Sequence, residues 1–419
     1  MLVPKLRFKR EDGSEYLEWD SKSFANAFAP LNNNTFSRDM LSENGTVLNI
    51  HYGDILVKFG EVCDIQTADI PKVNADIDIS KYDELQDGDI ILADTAEDET
   101  VGKAIEIYQT GTSKVVSGLH TMACRPNDKY AAKYLGYYIN SPTYHNQLLP
   151  FMQGIKVTSI GRKNIADTVI YYPSDLEEQQ KIADFLSTVD EVIAQSEAEV
   201  ANLEQQKKAA MQKIFSQEVR FKREDGTEYP EWEMDSLKNL CDYTDYRGKT
   251  PTKTESGIFL ITAKNIKQGY IDYDTSKEYI AESDYDNVMH RGLPQIGDVL
   301  ITTEAPCGNI AQIDRENVAL AQRVIKYRGR KEIISNNYLC FALQSDYFQD
   351  ELDKKATGGT VKGIKGSVLH TLSIFVPCLE EQQKIADFLS AYDEAISYTK
   401  QELEHWKQLK KGLLQQMFV

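Results

Sequence analysis

From Leu186 onward the apolar residues recur in alternating steps of three and four. Leu186, Val189, Ile193, Val200 and Leu203 form a seam that also takes in Ser196, Lys207, Ala210 and Ile214. The same frame returns 203 residues later through Leu389, Tyr392, Ile396, Leu403 and Trp406, with Thr399, Lys410, Leu413 and Met417 in register. A 3-4 alternation sustained over about four heptads predicts two long helices that pair as a coiled coil. Each is about 39 residues, or roughly 58 Å long. Antiparallel pairing is expected, because it relates the two copies by a pseudo-twofold axis. Lys207 and Lys410 fall at equivalent seam positions, where a long side chain is expected to snorkel outward and help fix register. Ser174-x-x-Glu177 reads as a capping box for the first helix, and the second, after Pro377-Cys378, has none.

Away from the helices the pattern shortens to apolar runs bounded by turn residues. Gly88-Asp89-Ile90-Ile91-Leu92 and Gly297-Asp298-Val299-Leu300-Ile301 each read as a turn into a buried strand. These runs belong to an internal duplication. Arg7-Phe8-Lys9-Arg10-Glu11-Asp12-Gly13 recurs unchanged from Arg220 to Gly226, followed in both copies by a Tyr and a Glu-Trp pair. Leu-Glu-Glu-Gln-Gln-Lys-Ile-Ala-Asp-Phe-Leu-Ser stands at both Leu176 to Ser187 and Leu379 to Ser390. Gly154-x-x-Val157-x-x-Ile160 answers Gly358-x-x-Val361-x-x-Ile364, and Pro173 answers Pro377. The expected class is α+β: two mixed α/β domains joined by two long antiparallel coiled-coil helices. The boundaries are 1–175, 176–218 (helix), 219–378 and 379–419 (helix). Identical frames around divergent middles suggest one scaffold presenting two different surfaces.

Composition narrows the class. The chain has 419 residues, too many for one ordinary core, with 41% hydrophobic and 27% charged residues. No apolar stretch reaches spanning length and Met1 to Lys5 lacks an apolar signal core, so a cytoplasmic protein away from membranes is expected. The six cysteines are scattered without zinc-like spacing and read as reduced core thiols.

The net charge of -18 argues against a generic nucleic-acid coat. Residues 20–176 carry 13 basic and 21 acidic side chains, but residues 242–379 carry 17 and 18. Local basic and amide-rich loops supply the residue types that phosphate and base-edge contacts require. The candidate contacts are Arg38, Lys114, Lys156, Arg162 and Lys163 in the first half. In the second half they are Lys249, Thr250, Lys253, Lys264, Asn265, Gln322, Arg323, Lys326, Lys362 and Lys365.

Catalytic signatures fail on inspection. Arg247-Gly248-Lys249-Thr250 lacks the first glycine of a phosphate-binding loop, since position 243 is Tyr243. Gly358-Gly359-Thr360-Val361-Lys362-Gly363 breaks the dinucleotide-binding spacing, and the six histidines form neither a zinc motif nor a nucleophile arrangement. Asn140-Ser141-Pro142-Thr143 lacks the second proline and the aromatic of an amino-methyltransferase motif. A non-catalytic chain with no catalytic residue and no metal or cofactor of its own is expected.

The duplicated helix starts, each behind a proline at the end of a divergent domain, resemble the specificity (S) subunits of type I restriction-modification enzymes over essentially the whole chain. The resemblance implies two target-recognition domains, each reading one half of a bipartite site in double-stranded DNA, with the paired helices setting the unread gap. It also implies partners: two adenine methyltransferase (M) subunits carrying S-adenosylmethionine, and restriction/translocase (R) subunits using ATP and Mg. The alternative is a coiled-coil scaffold or adaptor that keeps the duplicated frame without reading DNA.

Overall fold

A computed structural model describes residues 3–154, 157–246, 248, 250–359 and 361–418. The chain divides into two compact units, residues 1–197 with 401–419 and residues 198–400. The division falls inside the long helices rather than at their starts, so each helix gives one half to each unit.

The helices run Leu176–Phe215 and Leu379–Gln416, 40 and 38 residues. In the first unit Lys407 pairs with Glu197 at 2.6 Å and Lys410 with Asp190 at 2.6 Å. In the second, Lys400 pairs with Glu204 at 2.7 Å and Lys207 with Asp393 at 2.5 Å. Residue number rises on one helix as it falls on the other, so the halves pack antiparallel in both units. Every residue of the two seams is buried or half-buried, while most flanking positions are exposed. The seam lysines differ from expectation: neither snorkels into water. Lys207 and Lys410 are largely buried, 13% and 16% exposed, and are held by carboxylates. The first helix is also capped one residue later than expected. Asp175, not Ser174, accepts the Glu177 N–H at 2.9 Å.

The repeated dodecapeptide is retained for a physical reason. Glu178 is fully buried and accepts from Arg7 Nε at 2.6 Å, Arg7 Nη2 at 2.9 Å and Trp19 Nε1 at 3.3 Å. Glu381 does the same with Arg220, at 3.2 and 2.8 Å, and with Trp232 at 2.9 Å. The next residue, Gln179 or Gln382, donates to the carbonyl of Pro173 or Pro377 and accepts from the backbone of Ala131 or Ser335. Each buried charge thus meets its partner, which the identical Arg-Phe-Lys-Arg segment supplies. That segment leads into a short antiparallel pair at the base of each unit, Trp19–Ser23 with Val169–Pro173 and Glu233–Ser236 with Ser373–Val376.

Above this base the units share a topology that their sequences hide. The first has a sheet ordered Phe28–Pro30, Thr121–Pro126, Ile90–Ala93, Ala104–Tyr108 and Val62–Asp64. The second repeats its first four strands as Cys241–Asp245, Val324–Gly329, Val299–Thr303 and Cys307–Gln312. A smaller sheet accompanies each, built on a parallel pair: Val47–Ile50 with Lys114–Ser117, and Ile258–Ile261 with Val318–Leu320. Helices Tyr134–Asn140 and Pro142–Leu148 in one unit match Asn336–Gln344 and Asp346–Lys355 in the other. Their tyrosines and leucines fill the cores under the main sheets. The Gly-Asp landmarks are turns with Gly88 and Gly297 at φ +86° and +85°. The buried Asp89 and Asp298 accept from the turn backbone and from Arg125 and Arg328 respectively.

All six cysteines are free, and burial pushes the thiols of Cys63, Cys241 and Cys340 up to about 12. Among the described residues no helix is long and apolar enough to cross a membrane, and no three His, Cys, Asp or Glu side chains gather to hold a metal ion.

Candidate nucleic-acid interface

Each unit ends its central strand under a glycine hairpin. In the first, Gln153 and Ser159 exchange backbone bonds of 3.1 and 2.9 Å and Ile160 N–H donates to Asp94 O at 2.9 Å. In the second, Thr357 and Gly363 exchange bonds of 2.8 and 2.9 Å and Ile364 N–H donates to Thr303 O at 2.9 Å. Gly154 and Gly358 carry φ values of +130° and +122°, and a Cβ there would lie 1.8 and 2.2 Å from the carbonyl oxygens of Val157 and Val361. Only glycine closes such a loop.

In the second unit this hairpin walls a polar cleft of about 400 Å³ that includes Gln322, Arg323, Glu304 and Lys365. Arg323 Nε lies 3.3 Å from Glu304 Oε2. Gln322 donates to Gly248 O at 2.7 Å and to Thr250 Oγ1 at 2.9 Å, tying the polar loop to the cleft. The fold therefore brings together Thr250, Gln322, Arg323 and Lys365. Lys253 and Lys362 are exposed and paired with Glu278 and Asp353, and Lys264 is exposed on its turn.

In the first unit the corresponding edge carries His120, whose Nδ1 lies 3.3 Å from Asp94 Oδ1. The Tyr52 ring meets it in a T-shaped contact, centroids 5.3 Å apart. His51 caps the helix Tyr52–Val57 by accepting Gly53 N–H at 3.2 Å. Burial lowers its pKa, with Arg38 and His120 adding to the shift against Asp54. Arg38 reaches the same edge, its Nη2 standing beside Gly53. Arg162 donates to Asn33 Oδ1 at 2.9 Å and to Leu31 O. Lys163 is exposed beside it, whereas Lys114 lies in a separate groove of about 700 Å³ with Lys72.

Two candidates are corrected. Asn265 is fully buried, and its amide bonds Thr262, Asp272 and Ser276 to hold its own turn, so it presents nothing to a ligand. Lys326 points inward, 5% exposed, to Asp298 and Leu293 O, and burial lowers its pKa. Of the basic run from Arg323 to Lys331, Val324–Gly329 form a strand whose Lys326 and Arg328 both turn to Asp298, Arg330 pairs with Asp242, and Arg323, just before the strand, borders the cleft. Lys156 and Lys249 lie outside the described residues. His120, Asp94 and Tyr52 were missed by the sequence reading, because the inserts after the Gly-Asp landmarks differ in length and conceal that His120 and Arg323 hold one position.

Comparison with known proteins agrees with this architecture. A family model for the type I restriction modification DNA specificity domain matches twice, at residues 32–205 and 211–407. The MjaVIII type I restriction enzyme specificity subunit of Methanocaldococcus jannaschii is 30% identical over 275 residues, 62% of this chain and 64% of the relative. The putative MjaX specificity subunit of the same organism is 25% identical over 86% of this chain and 82% of its own length. The chain thus spans just under two thirds of the first relative. The type I S subunit from M. genitalium superposes with a TM-score of 0.57 at 12% identity, covering 100% of this chain and 99% of that one. A chain from a structural study of type I assembly and conformational transition gives 0.56 at 18% identity, covering 94% and 96%. With both halves matched over most of their length, the chain belongs to the type I restriction-modification DNA specificity family.

Proposed function

We propose that this chain is the non-catalytic reader of a type I enzyme, recognising a bipartite site in double-stranded DNA with one half-site per unit. The observation that carries this reading is the contrast between a retained base and divergent edges. The two units keep the same ion pairs at their helix starts and the same hairpin frame, yet offer His120, Asp94 and Arg38 in one and Arg323, Gln322 and Lys365 in the other. A scaffold without a reading task has no use for two unlike edges on one frame.

The exposed part of the retained base supports a pair of like partners. Leu176 and Phe185 are each 38% exposed, and Leu379 and Phe388 are 42% and 40% exposed. Phe185 and Phe388 also meet Phe8 and Phe221 of the repeated segment, but Leu176, Phe185, Leu379 and Phe388 all keep an exposed part and stand identically in both repeats. Two copies of one partner, the M subunit, fit two identical faces. S-adenosylmethionine belongs to those partners, and ATP and Mg to the R subunits. The acidity of this chain fits a division of labour in which the partners supply much of the phosphate contact. The test is co-expression with an M subunit in cells lacking other methyltransferases, followed by mapping of methylated adenines. A bipartite motif that appears only with both chains is expected. Methylation by this chain alone, or none with the pair, would overturn the reading.

A further inference from the structure

The two hairpin frames can be aligned by hydrogen bonds alone, without reference to sequence. Asp94 N–H donates to His120 O at 3.1 Å, and Thr303 N–H donates to Arg323 O at 2.9 Å. Ile160 and Ile364 close the frames onto Asp94 O and Thr303 O, both at 2.9 Å. Strand Thr95–Ala96 pairs with Thr158–Ser159, and Glu304 bridges Gly363 at the same place. Asp94 therefore corresponds to Thr303, Thr95 to Glu304, and His120 to Arg323.

We infer that His120 and Arg323 are the specificity-determining residues of their units, each reading one base pair in the major groove. This rests on the DNA-reading function proposed above. Both side chains are about half exposed, 48% and 56%, so each can reach a ligand. Both are also held. Glu304 takes the Nε edge of Arg323, which leaves the two terminal nitrogens as a fork that matches O6 and N7 of guanine. Asp94 faces Nδ1 of His120, with Thr95 Oγ1 also 3.5 Å from that nitrogen and 2.8 Å from Asp94 Oδ1. Nε2 of the ring is then the atom left for a base edge. The carboxylate lies one residue apart in the two frames, on Asp94 and on Glu304, yet faces the same side chain. Pre-orientation by a neighbouring acid restrains a side chain's rotamers before binding, which is what discrimination requires and phosphate contact does not.

The frame thus offers one position whose occupant differs in hydrogen-bonding pattern while its backbone does not. Arg323 calls for a G·C pair in one half-site, and His120 specifies one position of the other.

The test uses the full chain assembled with its methyltransferase partner. Wild type, His120→Ala, His120→Arg, Arg323→Ala and Arg323→Lys are compared by mapping methylated adenines. Each assembly's binding is also measured on duplexes carrying every single-base substitution of the wild-type site. If wild type yields no bipartite motif, the underlying reading fails. Given a wild-type motif, Arg323→Ala should relax one G·C position by at least tenfold in one half-site. His120→Ala should relax one position in the other, and His120→Arg should shift that position toward G·C. Arg323→Lys, which keeps the charge but loses the fork, should relax the same position as the alanine. A wild-type motif in either alanine variant, relaxation of the same half-site by both, or a loss of binding uniform across all duplexes would overturn the assignment. The binding readout decides the matter even for an assembly that no longer turns over.

Discussion

At the scale of single residues, two buried charges in the first unit carry separable consequences. Glu106 is 2% exposed and accepts the Lys133 and Gly136 N–H groups at the start of a short helix. Burial pushes its carboxyl up to about 7, against the pull of those N–H groups. Because the folded value lies above the unfolded one, its contribution is complete below about pH 4.5 and is lost as pH rises through about 7. The stability of wild type relative to Glu106→Gln should therefore fall across that window by up to roughly 3 kcal/mol and stay level above it. Parallel pH profiles of denaturant unfolding for the two proteins would contradict this. Lys410 is the second case. Burial lowers its pKa, but Glu61 at 2.5 Å and Asp190 at 2.6 Å outweigh that, and the net shift is upward. Lys410→Met strands two carboxylates in a half-dry site and should cost about 3 kcal/mol. Its counterpart Lys207 faces one carboxylate, Asp393, that is 44% exposed, so Lys207→Met should cost under about 1 kcal/mol. Thermal unfolding of the two variants checks the ranking. None of this was legible in the chain, where both lysines looked like surface residues of a seam. Their carboxylate partners come from sequence positions up to 349 residues away.

At the scale of elements, the long helices were the most legible feature, because heptad periodicity is local and survives divergence. The sheets were not. The strand Val324–Gly329 hides in a basic run, and its inward lysine is intelligible only beside Asp298, which a separate turn supplies. Asn265 misled for the same reason, since a buried turn-former and a base-reading amide have one letter. The helices lead to a mechanical prediction. Four residues inserted after Glu204 lengthen one helix by about 6 Å and introduce a stutter, while seven preserve the heptad and add roughly 10 Å. Since DNA rises about 3.4 Å per base pair, the unread gap should grow by roughly one or two pairs with four residues, at some loss of activity. The half-site sequences should stay the same. The methylated motif of the insertion variant is the measurement, and an active variant with an unchanged spacer would show that the helices do not set the distance.

At the scale of the whole molecule, the duplication is the organising fact, and sequence identity revealed it where packing demands identity. Glu178 and Glu381 keep their arginines, while the hairpin edges align by their backbone bonds and differ in their side chains. Replacing residues 20–173 with the corresponding domain of another family member should change one half of the methylated motif and leave the other untouched. A change in both halves would contradict independent units. The paired helices add a different consequence. Asp190 and Asp393 are repeat equivalents, and so are Lys207 and Lys410. Yet Asp190 pairs with Lys410, and Lys207 with Asp393. Each repeat thus holds both members of a bond that it makes only with its copy. A polypeptide of a single repeat would be complementary to itself, meeting a twin by mass action at a cost that depends on concentration. Joining two such repeats in one chain turns that encounter into an intramolecular one and lets the twins diverge, which is what allows a symmetric frame to hold an asymmetric message.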